Sequence, residues 1–401
     1  MIAVSPQILS WARETAGLSL EEAAHKLGIG AARKVAPEDR LAAFERGEEK
    51  VSRPLLLKMA KQYRRPLITF YLREAPARGD RGEDFRTLPE RNDDAEALVD
   101  ALLRDVRARQ GMVRSILEDE EDADRLSFVG SVRMADGLEK VVQAIKRTVG
   151  IDLTEFRAQS SPEGAFALLR EKVENLGVFV LLAGNLGSHH TALDVEVFRG
   201  FALADELAPF IVINDLDARA AWSFTLLHEL THLWLGQTGV SGSYSETQVE
   251  RFCNEVASHL LLPSIELGEM DWHIADGLPA TVKSISEFAV ERHLSRSMVA
   301  YRLHGAGVLT RQQWQALRGI FRQQWQLARA ARRDQNRDRE GGPNYYIVRR
   351  HRIGAALLRF VAQNLSAGSL SVTKASRVLG VKPRSVAPLL SGAALPAGQA
   401  A

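Results

Sequence analysis

One cysteine, Cys253, serves a chain of 401 residues, which excludes an internal disulfide framework and any zinc site built on cysteine thiolates. Long apolar runs are missing as well. No stretch reaches the eighteen or so residues a membrane helix needs, and the start, MIAVSPQILSWARE, lacks the basic and then apolar layout of a secretion signal. Neither export nor membrane partnership is therefore expected, and a reducing cytoplasm fits. Net charge is also small, at +2. What is present is an ordinary globular composition, 45% hydrophobic and 25% charged, long enough for two or three domains. The small total hides two biased runs: residues 83–140 carry sixteen Asp/Glu against nine Lys/Arg, and 318–352 carry ten Arg against three acids. Each reads most simply as a solvated helical surface.

Chemistry concentrates at FTLLHELTHLWLG, residues 224–236, where His228, Glu229 and His232 stand in the order H-E-x-x-H. On a helix the two histidines share one face and can reach a single Zn²⁺, with Glu229 beside them as general base. Ten histidines in the chain make the bare pattern only suggestive, so its surroundings decide. Ahead of it the pattern predicts a helix over 162–175, a buried strand at VFVLLAG, a weaker strand at Val195 to Phe198 and a clear one at Phe210 to Asn214. That last strand is the expected cleft edge, where an extended peptide could add as a further strand; a buried strand without substrate contact is the competing reading.

A catalytic zinc needs a third protein ligand. The helix expected over ETQVERFCNEVASHLLL offers Glu246, Glu250, Glu255 and His259. Glu250, Asn254 and Ala257 share a face, and Ala257 and Ser258 are small enough for close approach of the two helices. Glu250 follows His232 by eighteen residues and is the expected third ligand, while His259 points elsewhere. The adjacent His189 and His190 read as loop residues without a catalytic role. Asn214 and Tyr244 are candidates for oxyanion stabilisation that no pattern supports.

The runs PFIVINDLDARAAWSFTLLHELTHLWLG and VERFCNEVASHLLLP resemble the metallopeptidase domain of the ImmA/IrrE family over about residues 160–265. The resemblance implies a gluzincin-like zinc peptidase that cleaves a partner transcriptional repressor of the helix-turn-helix kind, switching on stress-response or mobile-element genes. Asp84-Phe85-Arg86-Thr87 resembles a D-F-R-T element of the long members, without an assigned role.

The flanking regions read as helical. WARETAGLSLEEAAHKLG, with a capping box at Ser19 and Glu22, and RLAAFERGEEKVSRPLLLKMAKQYRRPL suggest four short helices and resemble the XRE-type helix-turn-helix domain. By that resemblance a recognition helix lies near Pro37 to Glu45, with Arg33, Lys34 and Arg40 available to DNA; Glu38, Asp39 and Glu45 on the same helix argue equally for docking a protein. Two further helix-turn-helix-like units are expected around Leu294-Ser295 and in SLSVTKASRVLGVKPRSVAPLLSG.

The expected architecture is α+β and predominantly helical. A zincin-like (gluzincin) domain with a small sheet at 160–275 follows an XRE-like domain at 1–72, a linker at 73–91 and a helical segment at 92–159. After it come a winged-helix-like domain at 276–333, a polar connector at 334–344 and a C-terminal helix-turn-helix-like domain at 345–401 with a frayed tail. Oligomeric state is not indicated. Two functions compete: a zinc endopeptidase directed at a repressor, or a DNA-binding regulator whose zincin domain senses a metal or ligand without turnover. A retained Glu229 favours the first, since a sensor has no need of a general base.

Overall fold

Several helices begin where a short polar side chain accepts from the free N–H groups of the first turn. The computed structural model describes residues 4–32, 34–76, 93–119, 124–187, 191–241, 247–268, 270–337 and 344–391. It divides into two compact units, residues 1–80, 88–106 and 185–197 in one, and 81–87, 107–184 and 198–401 in the other. The D-F-R-T element, His189, His190 and Tyr244 lie outside the described residues.

The first unit opens with α1 (Pro6–Glu14), α2 (Leu20–Leu27), α3 (Pro37–Arg46) and α4 (Arg53–Gln62), followed by a 3₁₀ turn at Leu67–Tyr71. The predicted capping box is present, the Ser19 hydroxyl accepting from Glu22 N–H at 3.1 Å and the Glu22 carboxylate from Ser19 N–H at 3.0 Å. Ile8, Leu27, Leu41, Phe44, Met59 and Phe70 close a small core. A largely buried ion pair, Arg13 Nε to Glu45 Oε1 at 2.8 Å, ties α1 to α3. The long helix α5 spans Asp93–Asp119.

In the second unit come α6 (Leu138–Val149), α7 (Leu153–Arg157) and α8 (Pro162–Glu174), the last capped by Ser161. Strands β1 (Phe179–Leu182), β2 (Gly200–Leu203) and β3 (Phe210–Ile213) precede α9 (Trp222–Trp234), and β4 (Gly239–Ser241) precedes α10 (Gln248–Leu261). The strands form one sheet in the order β1-β3-β2-β4, with β1 parallel to β3 and the other pairs antiparallel. Two expectations fail here. Phe210 to Asn214 is not the sheet edge, because β3 pairs on both sides and the edges fall to β1 and β4. Val195 to Phe198 is not a strand, because Asp194 captures Glu196 N–H with its side chain and Val197 N–H with its carbonyl, which turns the chain until β2 begins at Gly200.

Helices α11 (Ser264–Leu267), α12 (Leu278–Glu291), α13 (Arg296–Gly305) and α14 (Arg311–Arg337) follow. Ile285, Phe288, Val299, Leu303, Leu317 and Phe321 join the same hydrophobic cluster as the sheet and α9. The predicted polar connector is helical at least through Arg337. The chain ends with α15 (Tyr345–Ile353), α16 (Ala355–Ser366), α17 (Val372–Val378) and α18 (Val386–Leu390).

This last group is held to the edge strand β1 by a buried pair. Arg170 Nε donates to Glu174 Oε1 at 3.0 Å, Arg170 Nη1 to the His351 carbonyl at 2.6 Å, and Arg170 Nη2 to the Val180 carbonyl. Glu174 Oε2 accepts from Ala355 and Ala356 N–H at 3.0 and 3.1 Å, the free donors of the first turn of α16. Each charge of the pair is thus satisfied by backbone as well as by its partner, which is what allows both to stay buried.

Candidate metal centre

Helix α9 is enclosed on every side, and every residue from Trp222 to Trp234 except Phe224 is buried. Leu226, Leu227, Leu230 and Leu233 are fully enclosed, each stabilising the fold by about 1.5–3 kcal/mol relative to an exposed side chain. The helix stops at Gly236, which adopts φ +68° and lets Gln237 N–H reach the His232 carbonyl at 2.9 Å. A side chain there would also strike the Gly130 backbone, since a Cβ at Gly236 would lie 3.0 Å from Gly130 Cα. Helix α10 starts at Thr247, whose hydroxyl accepts from Glu250 N–H at 3.3 Å. That cap places Glu250 in the first turn of α10.

His228, His232 and Glu250 come together as the pattern requires, and Glu229 lies beside them, fully buried. His228 Nε2 and His232 Nε2 are 3.2 Å apart, His228 Nε2 and Glu250 Oε2 are 3.2 Å apart, and His232 Nε2 and Glu250 Oε1 are 2.9 Å apart. Two ring nitrogens and a carboxylate thus face one another closely enough to share one ion. A tetrahedral site with bonds of about 2.0–2.1 Å has edges of about 3.3 Å, so two imidazoles and a carboxylate at these separations fit a divalent cation such as zinc.

Electrostatics agree. Burial disfavours a charge on His228, yet the facing Glu250 carboxylate, with smaller contributions from Glu229 and Asn254, raises its pKa to about 9. Burial likewise disfavours the Glu250 anion, and the two rings outweigh it, holding the carboxyl well below the usual range. The pocket therefore demands a positive charge at this point, whether from a proton or from a metal.

Residues 176–304 match the family model described as the IrrE N-terminal-like domain, Peptidase_M78. This metallopeptidase-type segment runs from just before β1 through nearly all of α13 and contains all four site residues. No curated protein matches the chain. No solved structure does either.

Two further residues, Asn254 and Gly200, border the site. Asn254, one turn beyond Glu250, adds a small contribution that favours the charged form of His228. Its presence on the ligand face was legible, but that contribution was not. Gly200 opens β2 under the general-base candidate: a Cβ there would lie 2.7 Å from Glu229 Oε1 and 2.8 Å from Thr225 Cγ2. The carboxylate occupies the room that a side chain would take. Asn214, by contrast, has both side-chain polar atoms on backbone, Nδ2 donating to the Phe198 carbonyl at 2.9 Å and Oδ1 accepting from Leu216 N–H at 3.0 Å. It clamps the end of β3, which corrects its candidacy as an oxyanion donor.

The three residues offered to DNA belong to the first unit, and His259 to the second. Arg33 lies outside the described residues. Lys34 is exposed in the left-handed region at φ 68°, and Arg40 Nη1 donates to the Gly30 carbonyl at 2.6 Å, so Arg40 braces the α2–α3 link. His259 Nδ1 lies 2.8 Å from the Glu255 carbonyl and stands apart from the metal cluster, as expected.

Proposed function

We propose that this chain is a zinc-dependent endopeptidase with a zincin-like catalytic domain, and that its substrate is a helix-turn-helix repressor protein. The observation that carries the peptidase reading is the convergence of His228, His232 and Glu250 at 2.9–3.2 Å, with Glu229 enclosed on the same helix. The match of residues 176–304 to a peptidase family supports it, and the ImmA/IrrE resemblance points to a repressor as the substrate.

In this reading His228, His232 and Glu250 hold the ion, which polarises the scissile carbonyl and acidifies a water when bound. Glu229 accepts a proton from the attacking water at a carboxylate oxygen and returns it to the leaving amine. Gly200 leaves that carboxylate its space. The small bundle α1–α4 is assigned to selecting the substrate, because Arg40 is committed to the Gly30 carbonyl and α3 carries Glu38 and Asp39 in its first turn.

The test is Glu229→Gln, measured beside the wild type for zinc content and for cleavage of a co-expressed repressor. Zinc and fold are expected to persist while cleavage falls by about 10²–10⁴-fold. Equal cleavage by both proteins would overturn the mechanism, and a purified wild type free of bound metal would overturn the reading as a whole.

A further inference from the structure

Charge runs along this chain in blocks. Residues 1–150 hold 26 Asp/Glu and 26 Lys/Arg, residues 151–291 hold 21 and seven, and residues 292–401 hold three and nineteen. Within the last block, 344–391 contains eight Lys/Arg and no acid at all. Four of these eight have internal tasks. Arg349 Nη2 donates to the Gly380 carbonyl at 2.5 Å, and Arg350 donates to the Leu389 and Pro388 carbonyls at 2.8 and 2.7 Å. Arg352 pairs with Asp215 at 2.6 Å, and Arg359 donates to Asn175 Oδ1 at 3.3 Å.

The other four are Lys374, Arg377, Lys382 and Arg384. All are exposed, and their side chains make no hydrogen bond or ion pair among the described residues. They sit together on one helix-turn-helix. Lys374 and Arg377 are three apart on the solvent face of α17, and Lys382 and Arg384 flank Pro383 at the entry to α18. Gly380, at φ +63°, makes the turn between them.

We propose that the α17–α18 turn is a docking surface for the phosphate backbone of duplex DNA. A polyanion is the ligand that fits it, because four unpaired cations within eleven residues make a local positive potential that no acid in residues 344–391 offsets. A bilayer is the poorer fit: Ala375, Val378, Leu379, Val386 and Leu389 are all buried, which leaves Val372 as the large apolar side chain exposed on these two helices. Sequence reading is not expected, since the outward position of α18 between Arg384 and Ser391 is Ala387, too short to reach a base edge. The surface would hold the peptidase on DNA near a DNA-bound substrate, and it rests on observations independent of the metal centre.

The experiment titrates the full chain into a labelled mixed-sequence DNA duplex, with equimolar phosphatidylserine and phosphatidylcholine vesicles as the second probe. Four phosphate contacts predict a slope of about −3.6 in log K against log salt, or about 10²-fold weaker binding between about 50 and 200 mM. Replacing Lys374, Arg377, Lys382 and Arg384 together by Gln should abolish this binding while zinc content and thermal unfolding stay unchanged. Arg377→Lys with Arg384→Lys should preserve it, because phosphates accept a point charge where a bidentate base contact does not. Lys34→Gln, in the other unit, should have no effect. The proposal is overturned if the wild type ignores the duplex, if it prefers the vesicles, or if the quadruple variant binds as well as the wild type.

Discussion

His228, His232 and Glu250 lie in the core at 3% exposure or less, whereas Lys374, Arg377, Lys382 and Arg384 stand in solvent on a turn of the same unit. Both are clusters of charged or ionisable groups brought close by helix geometry. The first is held at fixed separations by packing all round α9 and by the cap on α10, so each member depends on the others and loss of one leaves the rest buried and unmatched. The second is screened by water and salt, so its members should act nearly independently and each contribute little. Buried charge in this protein should be intolerant and cooperative, and exposed charge additive.

The harshest way to probe the buried side is Arg170→Met. Arg170 and Glu174 are 6% and 5% exposed, and removing the cation strands the Glu174 carboxylate against the start of α16. Urea denaturation should record a loss of about 3–5 kcal/mol. A loss under about 1 kcal/mol would mean that buried charge here is as forgiving as surface charge.

Gly200→Ala is next. The new Cβ collides with Glu229 Oε1, and a displacement on the scale of 1 Å in a reacting group costs about 10²-fold in rate. Zinc content should stay at the wild-type level, which separates a shifted base from a broken metal centre. Unchanged cleavage would show that the carboxylate can move aside at no cost.

His351 gives a milder, pH-dependent effect. Burial lowers its pKa, and Arg170, Arg219 and Arg352 add to that against an opposing contribution from Asp215. Because the folded pKa lies below the unfolded value of about 6.5, the unfolded chain binds the proton more readily. Stability should be flat above that pH and fall as pH drops below it. The melting temperature of the wild type should therefore decline between about pH 7 and 5 more steeply than that of His351→Gln, and parallel curves would exclude His351 as the source.

On the exposed side, Lys374→Gln alone should reduce the salt slope for duplex binding by about 0.9 and change folding stability by less than about 0.5 kcal/mol. A single substitution that abolished binding would break the additive picture.

The parts of the molecule differ in how far local spacing could reveal them. The shared face of His228 and His232 was readable because it depends on positions within one helix, and a helix carries its own geometry. The capping box at Ser19 and Glu22 was readable for the same reason. Glu250 was expected from its spacing, but only the packing of α10 against α9 brings it to the two histidines. The sheet edge was not: Phe210–Ile213 looks the same in the chain whether it lies at an edge or between two partners, and pairing with both β1 and β2 settles the matter. Gly200 and Glu229 are separated by 29 residues and no periodicity links them. Their contact arises only once β2 lies against α9. The C-terminal cations were countable in the chain, but nothing local distinguished Arg350, spent on the Leu389 carbonyl, from Arg384, left in solvent.

By itself the sequence determined the helical character, the small sheet's existence and the identity of the groups able to converge on a metal, since these follow from periodicity, caps and side-chain chemistry within short windows. Strand order, the space under Glu229 and the division of the arginines into structural braces and free charges were decided only by the tertiary structure. Each depends on which distant backbone carbonyl, carboxylate or strand comes within reach, a relation that sequence separation does not encode.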